Sequence, residues 1–78
     1  MPLYYIDVYN GDSYVPDTEG HMLGNPEEAR WTAISMLPDV VRKVPPEGNQ
    51  RVMMAHVKDE DGRPVFRAIL SLTGEWLN

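Results

Sequence analysis

The chain has 78 residues, 42% of them hydrophobic, and no cysteine. That is enough for one domain near the smallest size at which a single core holds together, and it excludes disulfide staples, thiolate metal sites and a cysteine nucleophile. The formal net charge of −5 sits in the first third, where six acids (Asp7, Asp12, Asp17, Glu19, Glu27, Glu28) precede the first basic residue, Arg30; such a field repels a phosphate backbone and disfavours nucleic acid as a partner.

LYYIDVY (Leu3–Tyr9) is rich in β-branched and aromatic residues, and Asn10-Gly11 follows. Asn-Gly after such a run predicts a hairpin with a type I′ turn, which needs positive φ at both positions. That turn sets Tyr9 against Asp12, Val8 against Ser13, Asp7 against Tyr14 and Ile6 against Val15. Pro16 cannot donate to a ladder, so the second strand ends there or lies at an edge. Asp17-Thr18-Glu19-Gly20 reads as a turn, and the strand resumes over residues 21–23 before the helix.

Asn25 suits a helix cap, Pro26 the first helical position, and Glu27 and Glu28 the positive end of the dipole. Ala29, Ala33, Ile34, Leu37, Val40 and Val41 form an apolar stripe at helical spacing. Pro38 predicts a kink or break, with one or two further turns through residue 44. Pro45 and Pro46 then end the helix.

RVMMAHVK and PVFRAILSL flank Asp59-Glu60-Asp61-Gly62 as a second hairpin. A three-residue loop opposes Val57 to Val65 and puts His56 with Phe66, Ala68 and Leu70. A four-residue loop opposes Val57 to Pro64 and puts His56 with Val65, Arg67 and Ile69. Both remain open, because one residue of slip exchanges the faces.

The predicted class is α+β, in the order ββαββ: a four-stranded antiparallel sheet with one helix packed on one face. It forms a single domain over residues 1–72, followed by a C-terminal tail, 73–78. A lone helix covers one face of such a sheet. Tyr4, Ile6, Val8, Phe66, Ala68 and Leu70 fall on the covered side. Leu3, Tyr5, Asp7, Tyr9, Val65, Arg67 and Ile69 fall on the other, which is too apolar for a purely solvent-facing surface. The expected function is a protein–protein interaction module, a homodimer using the uncovered sheet face, with Leu3, Tyr5, Tyr9, Val65, Arg67 and Ile69 as its interface, or an exposed strand edge. The alternative is an acidic regulator, antitoxin-like or mimicking nucleic acid, that presents Asp12, Asp17 and Glu19 to a basic protein partner.

The order of elements resembles a family of short bacterial domains of unknown function. Its members open with a Met-Pro-x-Tyr-Tyr strand, continue through a Gly-Asp turn, an Asp-x-Glu-Gly element and a helix, and close with an Asp-Glu-x-Gly hairpin. The resemblance covers most of residues 1–72 and implies a bacterial origin and this architecture, with no catalytic residues to transfer. Two departures stand out: Pro38 lies where family helices run on unbroken, and the tail after Leu72 has no counterpart.

Chemistry finds little support. Aligned on Gly62 or on Gly20, the calcium-loop spacing puts Val57 or Val15 where the first oxygen ligand belongs. Asp17, Glu19 and His21 form only a looser candidate. Ser13, Ser35 and Ser71 lie in no nucleophile-elbow context. Tyr5, Tyr9 and Arg67 lack the glycine-aromatic signature of an RNA-stacking sheet. No enzyme activity, cofactor or metal is expected. No apolar run approaches the roughly 18 residues of a membrane span and no leader pattern opens the chain, so a cytoplasmic protein is expected.

Overall fold

Alternation in LYYIDVYN builds the central strand, since every second side chain points to the same face. The computed structural model describes residues 2–43 and 48–78; the expected helix end at residues 44–47 lies outside them. The elements are β1 (Leu3–Asn10), β2 (Ser13–Val15), β3 (His21–Met22), α1 (Pro26–Lys43), β4 (Gln50–Lys58) and β5 (Pro64–Thr73). All strand pairs are antiparallel, in the order β2-β1-β4-β5, and the two-residue β3 pairs with the start of β1 on the same side as β2. The class is α+β as expected, with one short strand more than ββαββ.

Helix α1 lies on one face of the sheet. Its buried Ala29, Ala33 and Leu37 meet Tyr4 and Ile6 of β1 and Met53, Ala55 and Val57 of β4, with Phe66, Ala68 and Leu70 packed around them. Alanines at the contact allow the helix to approach the sheet closely. The Asn25 side chain caps the helix by accepting from the Glu28 N–H (2.9 Å), while Glu28 reaches back to the Gly24 N–H (2.7 Å).

Of the kink or break expected at Pro38, the break does not occur; α1 runs through it to Lys43. An interior proline costs about 3 kcal/mol. Burial of Leu37 and partial burial of Val40 and Val41 on the far side offset this, at roughly 1.5–3 kcal/mol for each fully buried aliphatic side chain.

The first hairpin differs from the type I′ expectation. Its pairs are Asn10–Ser13, Tyr9–Tyr14 and Val8–Val15, so Gly11 and Asp12 form the turn. Gly11 has φ +62°, and no residue other than glycine has positive φ among those described, which is the requirement of a type II′ turn. This register keeps Asn10 in the strand, where its Oδ1 accepts from Arg51 Nη1 at 2.8 Å. It also stacks Tyr9 on Tyr14, with ring centroids 4.6 Å apart. Partners change from the expectation but faces do not.

The second hairpin combines the two alternatives. The Asp59 N–H donates to the Arg63 carbonyl and the Gly62 N–H to the Asp59 carbonyl, closing a three-residue loop with Gly62 at φ +82°. Lys58 faces Pro64, yet Val57 faces Phe66. Val65 is thus an extra residue, a β-bulge, and beyond it the strand has changed face. His56 therefore sits opposite Arg67 on the helix-free side.

Candidate interaction surface

The acidic stretch after β2 is a plug for the sheet edge. The outer edge of β1 is paired by β2 at Val8–Asn10 and by β3 at Leu3 and Tyr4, leaving a gap between. Pro16 ends β2, and the Asp17 carboxylate enters the gap. Its Oδ2 accepts from the Ile6 N–H at 3.0 Å, and its Oδ1 from Gly20 (2.8 Å) and Glu19 (3.1 Å). The Asp17 N–H in turn donates to Asp7 Oδ1 at 2.9 Å. One side chain thereby supplies an acceptor that a neighbouring strand would have supplied. Burial alone would raise the Asp17 pKa, but the N–H groups of Ile6, Gly20 and Glu19, with His21 nearby, outweigh it and hold the carboxyl below its ordinary 3.8. His21 Nδ1 is 3.1 Å from Asp17 Oδ2 without the alignment of a hydrogen bond.

Gly20 closes the plug with φ +78°, and a Cβ there would lie 2.8 Å from Leu3 Cδ1 and 3.2 Å from Tyr5 Cε1. Gly20→Ala is therefore expected to lower stability by about 1–3 kcal/mol, the usual cost of a left-handed non-glycine residue, measured by urea titration.

The helix-free face divides into two halves. In the polar half, Asp7, His56 and Arg67 stand in one cross-strand row, and Tyr5 lies opposite Lys58. Asp7 is 3% exposed and its Oδ2 is 3.2 Å from Lys58 Nζ. The hydrogen bond and charge of Asp7 raise the Lys58 pKa. In the apolar half, the row Tyr14–Tyr9–Met54–Ile69 crosses all four main strands. Val52 lies beyond it on β4; Val52 and Ile69 are 58% and 59% exposed and Tyr14 50%.

Of the residues expected at the interface, Tyr9 and Ile69 lie in the apolar row. Arg67 and Tyr5 belong to the polar half, Leu3 is half-buried against β3 and Gly20, and Val65 is at the bulge. Tyr14, Met54 and Val52 complete the patch and were not singled out from sequence. The Tyr9–Tyr14 pairing depends on the turn, and the faces of β4 on its register; the alternation of RVMMAHVK marks Val52, Met54 and His56 as one face without saying which.

Of the expected acidic surface, Asp12 and Glu19 are exposed. Asp17 is a correction: its side chain is 11% exposed and turned inward, because both oxygens are taken up by backbone N–H groups. Among the described residues no group of three or more acids and histidines is arranged to hold a metal ion, and no helix is long and apolar enough to cross a membrane.

These features define a small α+β domain whose antiparallel sheet is covered by a helix on one face and, among the described residues, open on the other. The chain belongs to the family described as Domain of unknown function (DUF6894), whose model matches residues 3–71. No curated protein and no solved structure matches it.

Proposed function

We propose that this chain is a non-enzymatic protein–protein interaction module that self-associates through the helix-free face of its sheet. The observation that carries this is the row Tyr14–Tyr9–Met54–Ile69, in which Tyr14 and Ile69, with Val52 beside them, are exposed and Tyr9 and Met54 half-buried, on a hydrogen-bonded and therefore rigid surface. Tyrosine and methionine are enriched at interface cores, and an apolar patch beside a charged row has the anatomy of a core with a polar rim. His56 and Arg67, the accessible members of the polar row, would fix the orientation of the partner.

Sedimentation velocity across the micromolar range tests it. The chain is expected to dimerise, and the double variant Tyr14→Lys/Ile69→Lys to run as a monomer with an unchanged circular dichroism spectrum. A wild-type chain that stays monomeric at the highest concentrations would overturn self-association. The acidic-regulator alternative gains no support from the geometry, since Asp17 is consumed by the fold.

A further inference from the structure

Strand β5 continues past its last regular pair. Thr73 faces Gln50, and the Gly74 N–H still donates to the Asn49 carbonyl, so backbone pairing continues one residue beyond β5. Residues 74–78 overhang its end, with Trp76 and Leu77 86% and 85% exposed. The outer edge of β5 has no paired strand among the described residues. From Ala68 to Thr73 that edge reads AILSLT, without the charge or proline that ordinarily blunts one. Beside it, α1 and β5 leave an apolar groove of about 370 Å³ lined by Ile34, Leu37, Pro38 and residues 68–70.

We infer that two copies of the chain pair edge to edge through β5, antiparallel about a twofold axis at Leu72, each seating its Trp76 in the other's groove between α1 and β5. An axis perpendicular to the sheet places residue 72 − n opposite residue 72 + n of the partner, on the same face. The even-numbered residues Phe66, Ala68 and Leu70 face the helix. On that side Trp76 then meets the partner's Ala68, Gly74 meets Leu70, and Leu72 meets its own copy, so the bulkiest side chain falls opposite a small one at the groove. On the helix-free side Glu75 lies diagonal to the partner's Arg67, within reach for opposite charges. Moving the axis to Leu70 would set Trp76 against Pro64, beyond the groove. The overhang of each copy thus covers the bare edge of the other. This contact lies on the edge and goes beyond the sheet-face association proposed above, so either stands without the other.

The absence of cysteine from the chain makes a direct test available. Residues opposed across an antiparallel pair have Cα atoms about 4.5–5.5 Å apart, within the span of a disulfide. Leu72→Cys is expected to form a disulfide-linked dimer under mild oxidation, whereas Trp31→Cys, on the exposed helix surface, is not. The cross-link is expected to persist in the Tyr14→Lys/Ile69→Lys background, which separates the edge from the face. Ending the chain at Thr73, or Trp76→Ala, is expected to weaken edge pairing by about thirtyfold, as loss of a buried tryptophan anchor does. In Trp31→Phe, whose one tryptophan is Trp76, emission is expected to shift to the blue as concentration rises. Three results would overturn the inference: Leu72→Cys linking no faster than Trp31→Cys, linkage undiminished without residues 74–78, or Trp76 emission independent of concentration.

Discussion

Asp17→Ala is expected to destabilise the fold by about 3 kcal/mol, through three backbone donors left without an acceptor at roughly 1–3 kcal/mol each, less what water entering the loop restores. Against a total of roughly 4–12 kcal/mol for a domain of this length, that is a large share. The N–H groups of Ile6, Glu19 and Gly20 all point at this carboxylate. The Ile6 N–H belongs to a strand whose side chains form the core, so the loss reaches β1 directly. Asp17→Asn keeps one oxygen and turns an NH2 group towards donors, so its effect is expected to fall between alanine and wild type. Urea titrations of the three proteins check the order, and an alanine variant as stable as wild type would mean that the plug contributes nothing.

The same bonds set a pH dependence. Asp17 is held below its ordinary 3.8 in the folded chain, so the unfolded chain binds the proton more tightly. Its contribution is complete above that ordinary value and is lost as pH falls from there through the lower folded value. Stability is therefore expected to fall on the acid side, and Asp17→Asn to flatten that part of the curve. A shift confined to neutral or alkaline pH would contradict this assignment.

How much of this was legible in the sequence depends on the range of the interaction involved. The helix start at Asn25-Pro26-Glu27-Glu28 and the stripe from Ala29 to Val41 are local, and they appear where spacing and capping put them. The inward face of Tyr4, Ile6 and Val8 followed from alternation. Register did not, because it is settled by contacts between strands: Tyr9 stacks on Tyr14, Arg51 bonds Asn10, and one bulge at Val65 reconciles a three-residue loop with the face taken by His56. Pro38 is the converse case: it signals a kink or a break locally, and the break is absent where Leu37, Val40 and Val41 pack on either side of it. Asp17 is the most instructive. A turn aspartate ordinarily bonds its neighbours two or three residues on, as this one does with Glu19 and Gly20. Its bond to Ile6, eleven residues earlier, exists only because β2 stops at Pro16 and β3 is too short to cover the gap. The patch on the open face was half visible for the same reason, since β1 and β5 could be assigned and β4 could not.

Ile6→Ala is expected to have the largest effect of a single core truncation, about 4 kcal/mol, within the range of 2–5 for a buried isoleucine. Ile6 is 2% exposed, in the middle of β1, and shares its cross-strand row with Val57 and Phe66 beneath the helix. The alanines Ala29 and Ala33 in the same cluster have no longer side chain to swing into the space, so the cavity persists. Ile6→Val removes a single methyl and is expected to cost only about 1 kcal/mol. The side chain points at the helix while the backbone N–H of the same residue bonds Asp17, so the core and the plug meet at one position from opposite directions. Combining Ile6→Ala with Asp17→Ala is therefore expected to depart from additivity by at least about 0.5 kcal/mol, as residues sharing a structural element do. Ile6→Val should leave self-association unchanged, because nothing it touches lies on the helix-free face. If Ile6→Ala cost no more than Ile6→Val, the face assigned to β1 would be wrong, and with it the placement of Tyr9 on the other side.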